Sequence, residues 1–426
     1  MFRLREHGVT IRSELLAGLT TYLTMAYIIV VNPSILAAAG IDHGAAFVAT
    51  CIAAAIGSAA MGLMANLPLA LAPGMGLNAY FTFTVVKGMG VPWQVALGAV
   101  FVSGVVFLII SVLRVREWLI NAIPMPLKLG IGAGIGLFLG LIGMHEMGLV
   151  AGNPVTLVTL GDVDKTPTLL ACLGFLIMAG LSARGMRGAI LIGILVIAAL
   201  GIPFGLTALH GVVSAPPSLA PTFLQLDIRG ALSLGVTTVV LTFLLVDVLD
   251  NAGTLIATTQ RAGLMRPDGT VPRLREALLA DSGGAIIGAV LGTSTTTSYI
   301  ESAAGIQAGG RTGLTAVTVA VLFLLTLFFA PVATAIPAFA TAPALVFVAC
   351  LMARALGDIG WDDATEYVPA VMVAIGIPFT FSIATGIGLG FVVYAVVKVA
   401  AGRIEQVPGA VWLIAGLSVL KFALPG

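Results

Sequence analysis

Apolar runs of about 17 to 25 residues, long enough as helices to cross a hydrocarbon layer ~30 Å thick, recur along this whole chain with only short polar breaks between them. Of its 426 residues, 59% are hydrophobic and only 9% are Asp, Glu, Lys or Arg, against roughly a quarter charged in soluble domains. So few charges cannot solvate a protein of this size. The expected fold class is therefore an all-α polytopic membrane protein with no room for a separate soluble domain. A formal net charge of +1, with basic residues scattered singly, leaves no electrostatic footprint for nucleic acid. Arg3, Arg5 and Arg12 precede an apolar stretch too long for a signal-peptide core, which reads as a retained first span.

Spans are expected near residues 15–38, 46–66, 69–86, 93–113, 124–145, 168–184 and 188–206. After a break at 207–230, a second set is expected near 231–259, 276–291, 293–308, 312–331, 338–357, 366–382 and 383–402. The segment 408–424 reads as a fifteenth span or an interfacial helix. With a cytoplasmic amino terminus, alternate loops place Arg3, Arg5, Arg12, Arg114, Arg116, Lys128, Arg184, Arg187, Arg261, Arg266, Arg273, Arg275, Arg311, Arg354, Lys398 and Arg403 inside. Only Lys87, Lys165 and Arg229 fall outside, and Lys421 is unassigned. That asymmetry fits the positive-inside rule, and one missed span would reverse every later loop. Seven spans per half is an odd number, so the second half is inverted relative to the first. The expected organisation is an inverted-topology repeat, 1–210 and 231–402, followed by an apolar segment at 403–426.

Both halves are interrupted at their third span. In "APGMGLNAYF", Ala72 to Phe81, Pro73 removes a donor and Gly74 and Gly76 weaken helix continuity. In "GTSTTTSYIESAAGI", Gly292 to Ile306, β-branched and hydroxyl residues read as extended backbone before a short helix starting near Glu301. Short extended segments are thus expected in the third and tenth spans. Non-helical backbone at membrane depth is tolerated where protein buries it or a cavity is lined by it, and paired discontinuities point to a transporter binding site. The competing reading is two Gly-rich kinks for close helix packing.

An ionised carboxylate at the bilayer centre costs at least ~2.5 kcal/mol and marks function by default. Asp247 and Asp250 in "DVLDNAGT", three residues apart on one face of the eighth span, and Glu301 at the head of the second half-helix qualify. Asn78, just after the first break, can donate and accept, which suits a neutral polar ring; as a bland alternative it caps a helix. His7, His43, His145 and His210 read as interfacial, and Cys51, Cys172 and Cys350 as small buried hydrophobes, so neither set implies a metal or a disulfide. Asp358, Asp362, Asp363 and Glu366 read as a solvated connector. No phosphate loop, catalytic triad order or dinucleotide fingerprint stands as a credible unit, and no cofactor is expected.

At these residues the chain resembles the AzgA-like purine permeases, a branch of the nucleobase cation symporter 2 family that shares the fold of the uracil transporter UraA. "TTYLTMAYIIVVNP" at Thr20 to Pro33, "APGMGLNAYF", "DVLDNAGTLIA" and "GTSTTTSYIESAAGI" carry the likeness, in order, over nearly the whole chain. The resemblance implies a 7+7 inverted repeat whose halves interleave into a core domain carrying the site and a gate domain. It implies proton-coupled uptake of adenine, guanine or hypoxanthine across the cell (inner) membrane, with protons and the lipid bilayer as partners, and it is compatible with a homodimer. It places substrate binding at Asn78, Asp250 and Glu301, with Gly76 and Thr254 beside them, and proton coupling at Asp250 and Glu301. Where UraA-like members carry a glutamate and a histidine in the eighth span, this chain has Asp250 and Thr254, a departure that favours purines over uracil or xanthine. The alternative within transport is an anion carrier or exchanger of the same fold, against which two acids at one site argue. An intramembrane enzyme using Asp247 and Asp250 as a catalytic pair lacks a second acid in a Gly-rich partner motif.

Overall fold

The computed structural model describes residues 2–112, 123–209, 211–265 and 271–423. In chain order the elements are α1 Ile11–Met25, α2 Ile28–Ala38, α3 His43–Ala60, β1 Leu71–Pro73, α4 Met75–Ala79, α5 Trp93–Val112, α6 Met125–Glu146, β2 Val150–Asn153 and β3 Leu157–Leu160. They continue with α7 Thr166–Ala183, α8 Ala189–Gly201, α9 Ile228–Ala231, α10 Leu234–Arg261, α11 Leu274–Leu291, β4 Thr296–Ser298, α12 Ser302–Gln307 and α13 Gly313–Thr326. The last are α14 Ala330–Ala335, α15 Ala338–Ala353, α16 Ala364–Thr380, α17 Ile383–Ala400 and α18 Gly409–Ala423. Two wider π-helical stretches, Met61–Ala65 and Tyr80–Gly88, extend α3 and α4. Among the described residues, 8 helical segments are long and apolar enough to cross a membrane, and four shorter apolar helices accompany them. The two interrupted segments are not counted there, because a strand and a short helix make no continuous apolar helix.

The chain forms two compact units, each drawn from separate stretches: Met1–Val112 with Glu146–Ala344, and Leu113–His145 with Leu345–Gly426. Within the first unit, the span expected at 15–38 is one apolar helical segment, Ile11–Ala38, which a turn at Ala26 and Tyr27 divides into α1 and α2. The Thr10 hydroxyl accepts from Ser13 N in a capping box that starts α1, and Asp42 accepts from Ala45 N to start α3. The two expected extended segments do form strands. β1 and β4 pair antiparallel, with Leu71 opposite Ser298, Ala72 opposite Thr297 and Pro73 opposite Thr296. Glycines on α3 and α11 make room for this ribbon. A Cβ on Gly57 would lie 3.1 Å from Leu71 Cβ, and one on Gly284 would lie 3.4 Å from Leu71 Cδ2.

A second hairpin, β2 with β3, was not anticipated from the sequence. It is an exposed turn in which Asn153 Oδ1 accepts from Val155 N and Thr156 N at 2.8 and 3.0 Å, a local side-chain turn that apolar-run counting does not see.

In the second unit α16 and α17 pack closely enough that a Cβ on Gly376 would sit 3.2 Å from Gly386 Cα. At their polar end the supposed solvated connector is partly structural. Asp363 caps α16 and pairs with Arg403 at 2.5 Å, and Glu366 binds the buried Lys398 ammonium, which also donates to Gln406 at 2.9 Å. A buried ammonium needs acceptors, and the first turn of α16 supplies one. Of the cysteines only Cys51 is buried; Cys172 is half-buried and Cys350 exposed, since an apolar residue in a membrane helix also faces outward from the protein core. Among the topology-bearing residues, Arg114, Arg116 and Arg266, and with them His210, lie outside the described residues, as do the side chains of Arg261 and Lys421.

Candidate functional site

The paired strands are buried at every residue, so each backbone polar group needs a protein partner. The ladder is continued by Gly74 N donating to Thr295 O at 2.9 Å and Tyr299 N donating to Ala70 O at 3.0 Å. Ser58 on α3 donates to Leu71 O and accepts from Leu71 N, at 3.1 and 2.9 Å. Ser302 accepts from Ala70 N at 3.0 Å, and the Tyr299 hydroxyl donates to Pro73 O at 2.6 Å. Serines from two helices thus complete what a two-stranded ribbon leaves open. The ribbon then launches α4 on one side and α12 on the other, as the sequence leads one to expect of two broken helices.

Asn78 lies in α4, fully buried, and is no cap: Gly74 occupies the N-cap and Asn78 N donates to Gly74 O at 2.9 Å. Its Oδ1 accepts from the Ser294 hydroxyl, which approaches from the other interrupted segment, while its Nδ2 has no hydrogen-bond partner. Gly76 is half-buried in the same turn. Glu301 is the N-cap residue of α12, half-buried, and its Oε1 accepts from the Tyr27 hydroxyl at 2.7 Å. The hydroxyls of Thr295, Thr296 and Thr297, all buried, also have no hydrogen-bond partner. An unpaired buried polar group costs roughly 1–3 kcal/mol. Side chains alternate along a strand, and Thr296 lies with Ser298 on the face turned to Gly284, Gly288 and Asp281 of α11, so Thr297 is on the opposite face of the ribbon.

The helix α10 packs against α4, β4 and α12. It brings Asp247 and Thr254 to buried positions, with Asp247 1% and Thr254 7% exposed. The side chain of Asp250 lies outside the described residues. Asn78 and Glu301 are therefore brought into one unit by the strand pair, and α10 is laid against both half-helices.

Four polar residues that the sequence reading did not single out support this arrangement. Tyr27 holds Glu301, and Ser294 holds Asn78. Asn32 donates to Thr50 and Thr293 at 2.8 and 2.9 Å, tying α2 to α3 and to the segment before β4. Asp281, fully buried on α11, accepts from Ser298 at 3.1 Å behind β4. Tyr27 and Asn32 both sit in "TTYLTMAYIIVVNP", where a tyrosine and an asparagine inside an apolar run were the available signal.

A multi-pass helical protein with two helices broken in opposite halves, joined by a buried ribbon whose flanks carry unpaired polar groups, is a membrane transporter rather than an enzyme. The profile of the Permease family matches residues 12–389, and the chain belongs to that family, as an AzgA-like purine permease of the nucleobase cation symporter family. It is 52% identical to a putative permease of Methanocaldococcus jannaschii, over 99% of this chain and 97% of that one. It is 48% identical to the adenine permease AdeP of Escherichia coli, over 99% of this chain and 95% of that one. With the guanine/hypoxanthine permease PbuG of Bacillus subtilis it shares 45% identity over 95% of each chain. Among solved structures, the transmembrane domain of the cyanobacterium bicarbonate transporter BicA matches with a TM-score of 0.67, covering 89% of this chain and 97% of that one. At 15% identity that likeness is one of fold alone.

Proposed function

We propose that this protein takes purine bases, adenine, guanine or hypoxanthine, into the cell by coupling their entry to protons. The observation that carries the reading is the placement of Glu301: a carboxylate, acceptor-only when ionised, at the head of a half-helix, oriented by Tyr27 and separated by a short turn from β4, whose Thr297 hydroxyl is unpaired. A planar base with ring N–H groups satisfies such a carboxylate, whereas an anionic substrate is repelled by it. Relatives at 48% and 45% identity that are named adenine and guanine/hypoxanthine permeases support the same class of substrate.

In this reading Asn78, Glu301 and Asp250 bind the base, Gly76 and Thr254 shape the pocket, and Asp250 and Glu301 exchange the proton. The 7+7 inverted repeat interleaves into a core and a gate; two compact units drawn from separate stretches of chain support that division. The protein is a multi-pass component of the cell membrane with its amino terminus in the cytoplasm. Uptake of labelled hypoxanthine and adenine by vesicles carrying the purified protein tests this. Accumulation should follow an inward proton gradient and collapse with a protonophore. Accumulation that survives the protonophore and needs sodium overturns the coupling, and competition by bicarbonate or sulfate but by no purine overturns the substrate.

A further inference from the structure

The carboxamide of Asn251 is fully buried, and neither its Oδ1 nor its Nδ2 has a hydrogen-bond partner. Threonines of the same helix satisfy themselves against its backbone. Thr242 donates to Thr238 O at 2.8 Å, Thr258 to Thr254 O at 2.5 Å and Thr259 to Leu255 O at 2.5 Å. Elsewhere Asn32 donates to two hydroxyls, and Asn66 accepts from Gly313 N at 2.9 Å and donates to Phe2 O at 3.3 Å. Among the described residues, Asn251 is the asparagine left wholly unmatched.

Its position on α10 says what it meets. Leu244, Asp247, Asn251, Leu255 and Thr258 recur at three and four residues, so they form one stripe, and each is buried. Two turns before Asn251, the Phe243 ring packs edge-on against Tyr80, two residues past Asn78, with centroids 5.1 Å apart. One turn after it, Leu255 belongs to the apolar cluster that contains Leu71 of β1 and Ile306 of α12. Asn251 thus lies at the depth of the strand crossing, on the face of α10 that packs against α4, β4 and α12.

Resting on the nucleobase reading above, we propose that Asn251 hydrogen-bonds the N1 and six-position edge of the bound purine. Ionised, Glu301 only accepts, so it suits the N–H of the five-membered ring, and the opposite edge then needs a partner that both donates and accepts. A carboxamide offers one donor and one acceptor side by side. Adenine presents there an N6–H donor beside the N1 acceptor, and hypoxanthine an O6 acceptor beside the N1–H donor, so either edge matches the amide in one of its two orientations. The same amide is unsatisfied without a base.

The test is Asn251→Leu, an apolar side chain of nearly the same shape, with Asn251→Ala as a second variant that asks for no extra room. Purified protein is titrated with adenine, hypoxanthine and unsubstituted purine, which lacks the six-position group, and its thermal unfolding is followed alongside. Removing an unpaired buried amide should leave Tm unchanged or raise it. Affinity for the base that the wild type binds tightest should fall about tenfold or more, and its preference over unsubstituted purine should shrink by about tenfold. A lower Tm in both variants, or affinities that are unchanged or fall equally for all three bases, overturns the assignment of Asn251 alone. Failure of the wild type to bind any of the three overturns the nucleobase reading with it.

Discussion

The Tyr27 hydroxyl donates to Glu301 Oε1 at 2.7 Å, so a residue in the break between α1 and α2 fixes the carboxylate at the head of α12. A hydrogen bond to a charged acceptor contributes roughly 1.5–3 kcal/mol. Tyr27→Phe keeps the ring in its buried place and removes only the donor. Base binding should weaken about 10- to 100-fold while the amount of folded protein in the membrane stays unchanged. Glu301→Gln should be more severe, because an amide presents a donor where the ring N–H needs an acceptor. Wild-type affinity in Tyr27→Phe would show that something other than Tyr27 orients the carboxylate.

Asp247 and Asp250 share α10, three residues apart. If Asp250 carries the coupled proton, Asp250→Asn should lose concentrative uptake and its dependence on external pH, while exchange of internal for external base can persist. Asp247→Asn should be milder. Uptake in reconstituted vesicles across a range of external pH separates the two, and loss of the pH dependence in Asp247→Asn alone would move the proton site to Asp247.

The broken helices were legible in the sequence because proline, clustered glycines and a hydroxyl-rich β-branched run are local signals, written where they act. Residues Leu71–Pro73 and Thr296–Ser298 duly form strands, and Asn78 and Glu301 flank them. What was not legible was the pairing across the chain. Nothing near Tyr27 announces that its hydroxyl reaches a residue 274 positions away; Ser58 and Ser302 look like ordinary small helix residues until the ribbon needs their oxygens, and Ser294 is one hydroxyl among several until it meets Asn78. Asp281 and Glu14 were passed over for a related reason. Glu14 lies at a span boundary and Asp281 only five residues inside the expected span 276–291, where an acid reads as near the solvated end, yet both are fully buried against another segment's donors.

Glu14 carries a further prediction. Its carboxylate accepts from Arg311 N at 2.8 Å, Thr312 N at 3.2 Å, Thr315 N at 3.2 Å and the Thr315 hydroxyl at 2.6 Å. One acid from α1 thereby satisfies the open amides at the start of α13, where the helix dipole also favours negative charge. Glu14→Ala strands several buried donors and should cost about 3 kcal/mol or more. Glu14→Gln, whose amide oxygen still accepts, should fall between it and the wild type. Thermal unfolding of the purified variants measures the order, and a Glu14→Ala protein as stable as wild type would mean that water takes over the cap.

At the polar end of the second unit, Asp363 accepts from the Thr365 hydroxyl at 2.8 Å, from Thr365 N at 2.9 Å and from Arg403 at 2.5 Å. The Thr365 hydroxyl and amide, with the Arg403 guanidinium, hold its carboxyl down at about 2, below the ordinary 3.8. A carboxyl whose pKa is lower folded than unfolded stabilises the fold fully above its unfolded value and loses that contribution as pH falls toward the folded one. The wild type should therefore be more stable than Asp363→Asn at neutral pH. The gap should hold down to about pH 4 and close between about pH 4 and pH 2. Because asparagine also caps helices well, this comparison isolates the charge and its Arg403 partner from the cap itself. Added salt should narrow the gap in part, since Arg403 and Asp363 are both substantially exposed. Unfolding temperatures of the two proteins across that pH range decide it: a gap that persists unchanged to about pH 2 would assign the loss to cap geometry rather than to charge.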